Sequence, residues 1–138
     1  GVTRGLAILV AIYVGYTAMY ISAANVKTDD VRATYTSLHP LLRLGVSTFM
    51  LADQEVVMTD AQRQPEDYAR MGLPVNEGSL HFRQDGSGYV HAVDLRTNGR
   101  GEWKNFLMTL YFKIAGFRTL RHTGTADHLH VSLPVDSD

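Results

Sequence analysis

The sequence has no cysteine among its 138 residues. Without thiols the chain cannot form a disulfide, a thiolate zinc site or a cysteine nucleophile, so any metal ion must be held by His, Asp or Glu. Charge of one sign is not in excess either, because 13 Lys and Arg stand against 14 Asp and Glu. This balance argues against a strongly basic nucleic-acid-binding protein and against an acidic disordered tail. No internal repeat or low-complexity tract is present, and the length fits one domain.

The N-terminus holds a long uncharged run of 22 residues, Gly5 to Val26. In a helix that rises 1.5 Å per residue, this run matches a hydrocarbon core of about 30 Å. We therefore predict a membrane-spanning helix over residues 1–27. A buried core helix and a cleaved signal peptide are the alternatives, the second because the run ends in small residues. The Lys and Arg residues on its two sides nearly balance, so they do not fix an orientation.

Residues 28–138 are expected to form a separate domain. Thr28 to about Gly45 has helical spacing, and Pro40 should kink this helix or divide it in two. Periodicity predicts strands at Glu55–Thr59, Tyr89–Leu95 and His128–Leu133, and helices at Pro65–Met71 and Glu102–Ala115, the last with Phe106, Leu107, Leu110, Tyr111 and Ile114 on one face. Such a mixture indicates an α+β fold with few strands and flanking helices.

Polar ligand types are concentrated in three short segments: 79–81, 91–95 and 127–130. Residues two apart in a strand point to the same face, so His128 and His130 share a face and Asp94 can lie opposite them. Two His and one carboxylate satisfy a catalytic zinc site without sulfur. Asp127, at a strand entrance, is suited to take the proton from a water molecule. The segments 79–81, 91–95 and 127–130 together predict a metal site. His39 and His122 are predicted to be ordinary histidines, because neither has an acidic or His neighbour in a ligand-like arrangement.

The order S-x-H, A-x-D and D-x-x-H resembles that of the VanY-type D-alanyl-D-alanine carboxypeptidases and the phage L-alanyl-D-glutamate endopeptidases. These are zinc peptidases whose fold is shared with the Hedgehog signalling domain, and the resemblance covers roughly residues 38–134. It implies a Hedgehog/DD-peptidase-like fold with a small antiparallel sheet. It also implies zinc ligation by His81, Asp94 and His130, with Asp127 as the catalytic base.

Two further roles follow from the same resemblance. Residues 56–68 resemble the strand, turn and helix that carry the family's substrate-binding arginine, which assigns Arg63 to a substrate carboxylate or carbonyl. His128 completes an H-x-H form of the last motif and is expected beside the metal, where it would bind substrate.

The chain departs from the family between the first His and the Asp, where it has the twelve residues from Phe82 to Val93, more than the family usually has. The turn-rich segment Arg83–Gly88 is interpreted as an enlarged loop that borders the metal. A competing assignment makes His91 the first ligand. We prefer His81, because His91 and Asp94 are three apart in a strand and so point to opposite faces.

The resemblance implies zinc-dependent hydrolysis of the peptide stem of bacterial cell wall, in the manner of an endolysin. Cleavage within the stem is favoured over carboxypeptidase action, since a long loop suits a long substrate. The expected setting is a bacterial inner membrane or a phage virion, with the enzyme domain in the periplasm or on the inner side of a virion membrane. Virion or lysis-system proteins are the expected protein partners, and no nucleic acid is expected.

Two other classes stay open at this point. The first is a non-catalytic, membrane-anchored structural or wall-binding protein that keeps the same fold. The second is a metal-free phosphoesterase of the two-histidine type, for which His130 and Ser132 supply one half of the H-x-[ST] pair. The zinc content of the purified protein would separate these classes from a peptidase.

Overall fold

The architecture is built around a four-stranded antiparallel sheet. A computed structural model of the chain describes residues 1–76, 78–84, 86–124 and 126–134. Its strands are β1 (Met58–Asp60), β2 (Ala92–Arg96), β3 (Arg118–His122) and β4 (His128–Ser132), and its helices are α1 (Val2–Met19), α2 (Asp29–Ala33), α3 (Pro40–Ala52), α4 (Pro65–Met71) and α5 (Glu102–Ile114). The predicted α+β class with a small antiparallel sheet is confirmed.

The strands are ordered β1-β2-β4-β3 across the sheet. Because side chains alternate along a strand, each strand contributes to two different surfaces. Val93 and Leu95 of β2 and Leu129 and Val131 of β4 are buried in the hydrophobic core. The intervening residues of these strands carry the histidines and Asp94, so the opposite face of the sheet is the polar one.

Helices α3 and α5 supply the rest of the core. Val46 of α3 and Met108 and Phe112 of α5 are fully buried in the same cluster as the sheet residues, and the rings of Phe49 and Phe112 lie 5.8 Å apart. The Tyr111 hydroxyl adds a hydrogen bond to the Gly45 carbonyl, at 2.9 Å. These contacts fix the two helices on the apolar face and leave the polar face of the sheet uncovered by them.

The chain before α3 follows the prediction in one respect and differs in another. Pro40 divides the predicted helix, since α2 is separated from α3 by a 3₁₀ turn at Tyr35–Ser37 and Pro40 is the first residue of α3. At a helix start the missing N–H of proline is harmless, which is why the break falls there. The second segment continues to Ala52, beyond the predicted end near Gly45.

The N-terminal uncharged run is not one helix. Helix α1 ends at Met19, and a short 3₁₀ turn follows at Ala23–Asn25. Ile21 and Val26 are buried in the domain core, and Val26 pairs with Met58 of β1. The last part of the run therefore belongs to the domain, and only α1 is long and apolar enough to cross a membrane among the described residues.

Two features of the sheet and of α5 did not follow from periodicity. Strand β3 was not predicted, because Leu120 is its one apolar residue and lies exposed at the sheet edge. An edge strand held mainly by its backbone bonds needs no apolar alternation. In α5 the buried residues are Asn105, Met108 and Phe112. Of the stripe predicted from the sequence, Tyr111 is half-buried against the core, whereas Phe106, Leu107, Leu110 and Ile114 are exposed.

Candidate metal centre

The register of β2 against β4 places Asp94 directly opposite His130. Both residues belong to the polar face of the sheet. His81 reaches the same place from the segment that connects α4 to β2, and it is as deeply buried as Asp94. The candidate centre is thus assembled from two neighbouring strands and one segment outside the sheet.

Three ligand-type atoms of these residues converge. His81 Nε2 lies 3.2 Å from Asp94 Oδ1 and 3.3 Å from His130 Nδ1, and the last two atoms are 3.0 Å apart. His81 and Asp94 are buried and His130 is half-buried. The group could hold a metal ion, and it contains the three residues that the sequence motif predicts as ligands.

The ring of His81 is oriented by the backbone around it. Its Nδ1–H donates to the Ala61 carbonyl at 2.7 Å, which leaves the lone pair of Nε2 directed at Asp94 and His130. Such a carbonyl partner on the second ring nitrogen is the usual support of a metal-binding histidine. The Ser79 hydroxyl accepts a hydrogen bond from the His81 N–H, and the Arg63 N–H donates to the His81 carbonyl. The serine of the S-x-H motif therefore has a structural role in placing His81.

Asp94 is held ionised by its neighbours. Burial by itself would raise the pKa of this carboxyl, but its contacts with His130 and His81 outweigh burial and hold the pKa well below its usual range. Its two oxygens have different surroundings. Oδ1 faces the two histidines, whereas Oδ2 lies 3.4 Å from Arg63 Nη2 and 3.6 Å from His128 Nε2.

Arg63 lies beside the cluster, at the position where a substrate-binding arginine was predicted. Its Nε donates to Asp60 Oδ2 at 2.6 Å, in addition to the longer contact with Asp94. The guanidinium carbon is 5.8 Å from the centre of the Tyr68 ring in α4. Two carboxylates and an aromatic face therefore fix the direction of the guanidinium, which lines the cavity next to the cluster.

His128 also lies beside the cluster, as predicted. Its Nδ1–H donates to the Ala126 carbonyl at 2.6 Å, so Nε2 is the nitrogen that faces Asp94. His122, predicted to be an ordinary histidine, lies opposite His128 in the β3–β4 ladder. The two rings stack with their centres 4.7 Å apart. His122 therefore lies directly beside His128, which the sequence did not indicate.

Asp127 has a different environment from the one expected of a free base. One of its oxygens accepts hydrogen bonds from Thr97 Oγ1 at 2.6 Å and Arg121 Nε at 3.0 Å, and the other accepts from Arg121 Nη2 at 2.9 Å. The Arg121 guanidinium and the Thr97 hydroxyl lower the pKa of Asp127 to about 2. Asp127 lines the same cavity as Arg63 and His128.

An open cavity of about 590 Å³ adjoins the cluster. Asp94, His128 and Asp127 lie on its wall, together with four cationic side chains, Lys27, Arg63, Arg70 and Arg96. The loop at residues 83–88 was expected to border the metal. Asp85 lies outside the described residues, and the described ones are not among those that line this cavity.

The competing first ligand, His91, lies elsewhere. Its Nε2 is 2.6 Å from the Ser87 hydroxyl, and its ring packs edge-on against His39 at 5.4 Å. His39 accepts a hydrogen bond from the Leu41 N–H and so caps α3. The structure thus brings His81, and not His91, to Asp94.

Three residues that shape the site were missed in the sequence. Asp60 orients Arg63, Ala61 orients His81 through its carbonyl, and Arg121 binds Asp127. A backbone carbonyl has no sequence signature. The role of Arg121 depends on the pairing of β3 with β4, and β3 was itself not predicted. A signal for Asp60 exists only after Arg63 has been placed, since the two are three residues apart at the end of β1.

No protein-family model matches the chain, and no curated protein or solved structure is significantly similar to it.

Proposed function

We propose that the chain is a zinc-dependent peptidase that cleaves the peptide stem of bacterial cell wall. The observation that carries the proposal is the convergence of His81, Asp94 and His130. Each of the three donor atoms lies 3.0–3.3 Å from the others. They occur in the order and motifs that resemble those of the VanY-type and phage endopeptidase family, whose Hedgehog/DD-peptidase-like fold we propose for this chain.

The donor set and its spacing suit zinc. In a tetrahedral site with ligands about 2.0–2.1 Å from the ion, neighbouring ligand atoms lie about 3.3 Å apart. The three separations in the cluster are close to this value. Two imidazoles and one carboxylate leave a fourth position for water or substrate, as catalytic zinc sites require. The chemistry that zinc supplies when bound there is polarisation of a carbonyl and activation of a water molecule.

The residues around the cluster suit a substrate with free carboxylates, as stem peptides have. Arg63 offers its guanidinium to a carboxylate or carbonyl next to Asp94. Lys27 and Arg96 lie further along the cavity wall, where Arg70 is paired with Asp67. Arg63 is already aligned by Asp60, so little side-chain freedom is lost when substrate binds. In this position Arg63 also stabilises negative charge that develops on the substrate oxygen.

Two side chains are candidates for proton transfer. Asp127 matches the acidic residue of D-x-x-H, and we assign it as the base. Its low pKa and its three hydrogen bonds make it a weak proton acceptor, so Arg121 must loosen its hold for Asp127 to act. His128 is the second candidate, because its Nε2 faces the cluster and an imidazole is the side chain most often used for this task.

The experiment uses the full chain, purified in detergent, and measures zinc by mass spectrometry and hydrolysis on isolated peptidoglycan. About one zinc per chain and release of stem fragments are expected. Zinc without hydrolysis would support a wall-binding protein instead. A chain that binds no zinc and hydrolyses no wall would refute the proposal.

The same digests identify the bond. We propose cleavage within the stem, with separation of the stem from glycan or from a neighbouring stem. Free D-alanine as the sole product would show carboxypeptidase action of the same site.

We also propose that α1 anchors the chain in a membrane, with the domain that follows in the periplasm or on the inner side of a virion membrane. Support comes from the length and apolar character of α1 and from the location of the proposed substrate. Virion or lysis-system proteins are then its expected neighbours.

A further inference from the structure

Helix α5 has an apolar face that the fold leaves outside. Trp103, Phe106, Leu107, Leu110 and Ile114 are between 40% and 78% exposed. Their spacing of three and four residues places them on one continuous stripe of the helix. A contiguous apolar surface of this kind on a small domain marks an interaction site more often than chance exposure.

The stripe lies next to the region where α1 packs on the domain. Tyr111 of α5 donates to the Gly45 carbonyl of α3, and Leu107 and Ile114 are its neighbours one turn away on the helix. The Tyr13 hydroxyl of α1 is 2.7 Å from Thr48 Oγ1, one turn further along α3. Helix α3 therefore contacts α5 at Gly45 and α1 at Thr48, and the apolar stripe lies beside the residue of α5 that makes this contact.

The C-terminal part of α1 is fixed to the domain. Besides the Tyr13 contact, the Tyr35 hydroxyl donates to the Thr17 carbonyl and the Arg43 guanidinium donates to the Ala18 carbonyl. Only residues 2–12 then extend beyond the domain. At 1.5 Å per residue they measure roughly 16 Å, about half of a 30 Å hydrocarbon core.

For α1 to cross the membrane, residues 13–19, which are bound to the domain, must therefore lie in the bilayer as well. If residues 13–19 complete the span while they stay bound to the domain, the residues that they contact must lie at the membrane surface or within it. The face of the domain that meets the lipid then includes α3, to which Tyr111 of α5 is hydrogen-bonded.

We infer that α5 rests in the interface of the bilayer that α1 anchors, with its apolar stripe inserted among the lipid headgroups and upper acyl chains. Trp103 is of the residue type that favours this depth. Lys113 is on α5 beside the stripe, where its long side chain can reach anionic headgroups, whereas Lys104 is paired with Glu55 at 2.8 Å. The inference rests on the anchoring proposed for α1, and it is independent of the metal chemistry.

Trp103 is the only tryptophan in the chain, so its fluorescence reports on α5 alone. The test reconstitutes the full chain in vesicles of phosphatidylcholine with a minority of phosphatidylglycerol, with and without brominated acyl chains. Bromine quenches tryptophan only at short range. In the vesicles, Trp103 should emit at a shorter wavelength than it does in the denatured chain. The brominated lipid should quench this emission strongly.

The matched control moves the tryptophan to the other side of the sheet. In Trp103→Phe combined with Leu120→Trp, the new side chain occupies an exposed position of β3, and its quenching should be severalfold weaker. Equal, weak quenching at both positions would overturn the inference. A blue-shifted Trp103 that brominated lipid does not quench would also overturn it, because a second copy of the chain would then cover the stripe.

A second variant keeps the anchor and changes the stripe. Phe106→Glu with Leu110→Glu alters two exposed positions, so the core is preserved. The variant should still float with the vesicles through α1, while quenching of Trp103 falls severalfold. Unchanged quenching would contradict the inference. If the unmodified chain does not float with vesicles at all, the anchoring and the inference both fail, whereas zinc binding and hydrolysis would be unaffected.

Discussion

Asp127→Asn removes the charge that the proposed mechanism uses as proton acceptor, while the shape of the side chain is retained. A positioned general base contributes about 10²–10⁴-fold to the rate of proton-transfer steps. We therefore expect hydrolysis of peptidoglycan to fall by a factor in this range. Zinc content should be unchanged, because Asp127 is not among the three converging ligand residues.

The structure indicates that this substitution leaves the fold intact. Arg121, which binds Asp127, also makes two hydrogen bonds to Glu102 at the start of α5, at 2.7 and 3.0 Å. The guanidinium therefore keeps a carboxylate partner in the variant. The thermal unfolding midpoint, followed by circular dichroism, should change little, so that a loss of rate can be attributed to chemistry.

His128→Gln is the matched comparison, because His128 is the second candidate base. Initial rates are measured as release of stem fragments from purified peptidoglycan at equal zinc occupancy. Near-normal turnover in Asp127→Asn, together with a large loss in His128→Gln, would refute the assignment of Asp127. The carboxylate would then be a structural partner of Arg121 and Thr97.

Three further predictions concern the metal, stability and topology. His130→Ala should lose zinc, measured by mass spectrometry, whereas His91→Ala should keep it, and equal zinc in both would contradict the ligand set. Asp53→Asn should lower the free energy of unfolding by about 3 kcal/mol, because it leaves the buried Arg100 guanidinium uncompensated. Arg100 lowers the pKa of Asp53 from its usual value of 3.8, so this stabilisation is fully present above pH 3.8 and is lost as the pH falls through the lowered pKa. The difference in free energy of unfolding between the original chain and Asp53→Asn, measured by denaturation at several pH values, should therefore shrink in acid. Protease added to spheroplasts should digest residues 28–138, and a resistant domain would disprove the proposed orientation.

Much of the site could be predicted because its residues sit in strong local patterns. Asp94 and His130 lie in apolar, alternating segments, and alternation decides which face each residue occupies. His81 lies outside the sheet, so alternation could not place it, and its assignment came from the family motif and from the exclusion of His91. His91 was excluded because it and Asp94 are three residues apart and so point to opposite faces of a strand. The structure agrees with this exclusion, since His91 packs on His39.

What could not be predicted depends on contacts between distant segments. Strand β3 lacks an apolar pattern and was not predicted. The pairing of Arg121 with Asp127 and the stacking of His122 on His128 depend on this strand, so they were not predicted either. Helix α1 ends at Met19, and Ile21 just after it is buried in the core, which composition alone does not reveal. In α5 both faces are apolar, so periodicity could not indicate which one packs on the sheet.

The alternation of β4 has a consequence for how the protein reaches its native state. His128 and His130 belong to the site, whereas Leu129 and Val131 belong to the core. A pairing error of one residue between β2 and β4 would turn the leucine and valine toward water and drive imidazoles into the apolar interior. The same error would separate the ligands of the candidate metal site. Metal binding and correct folding are thus specified by a single strand register, so that uptake of the ion would distinguish correctly folded chains from misfolded ones.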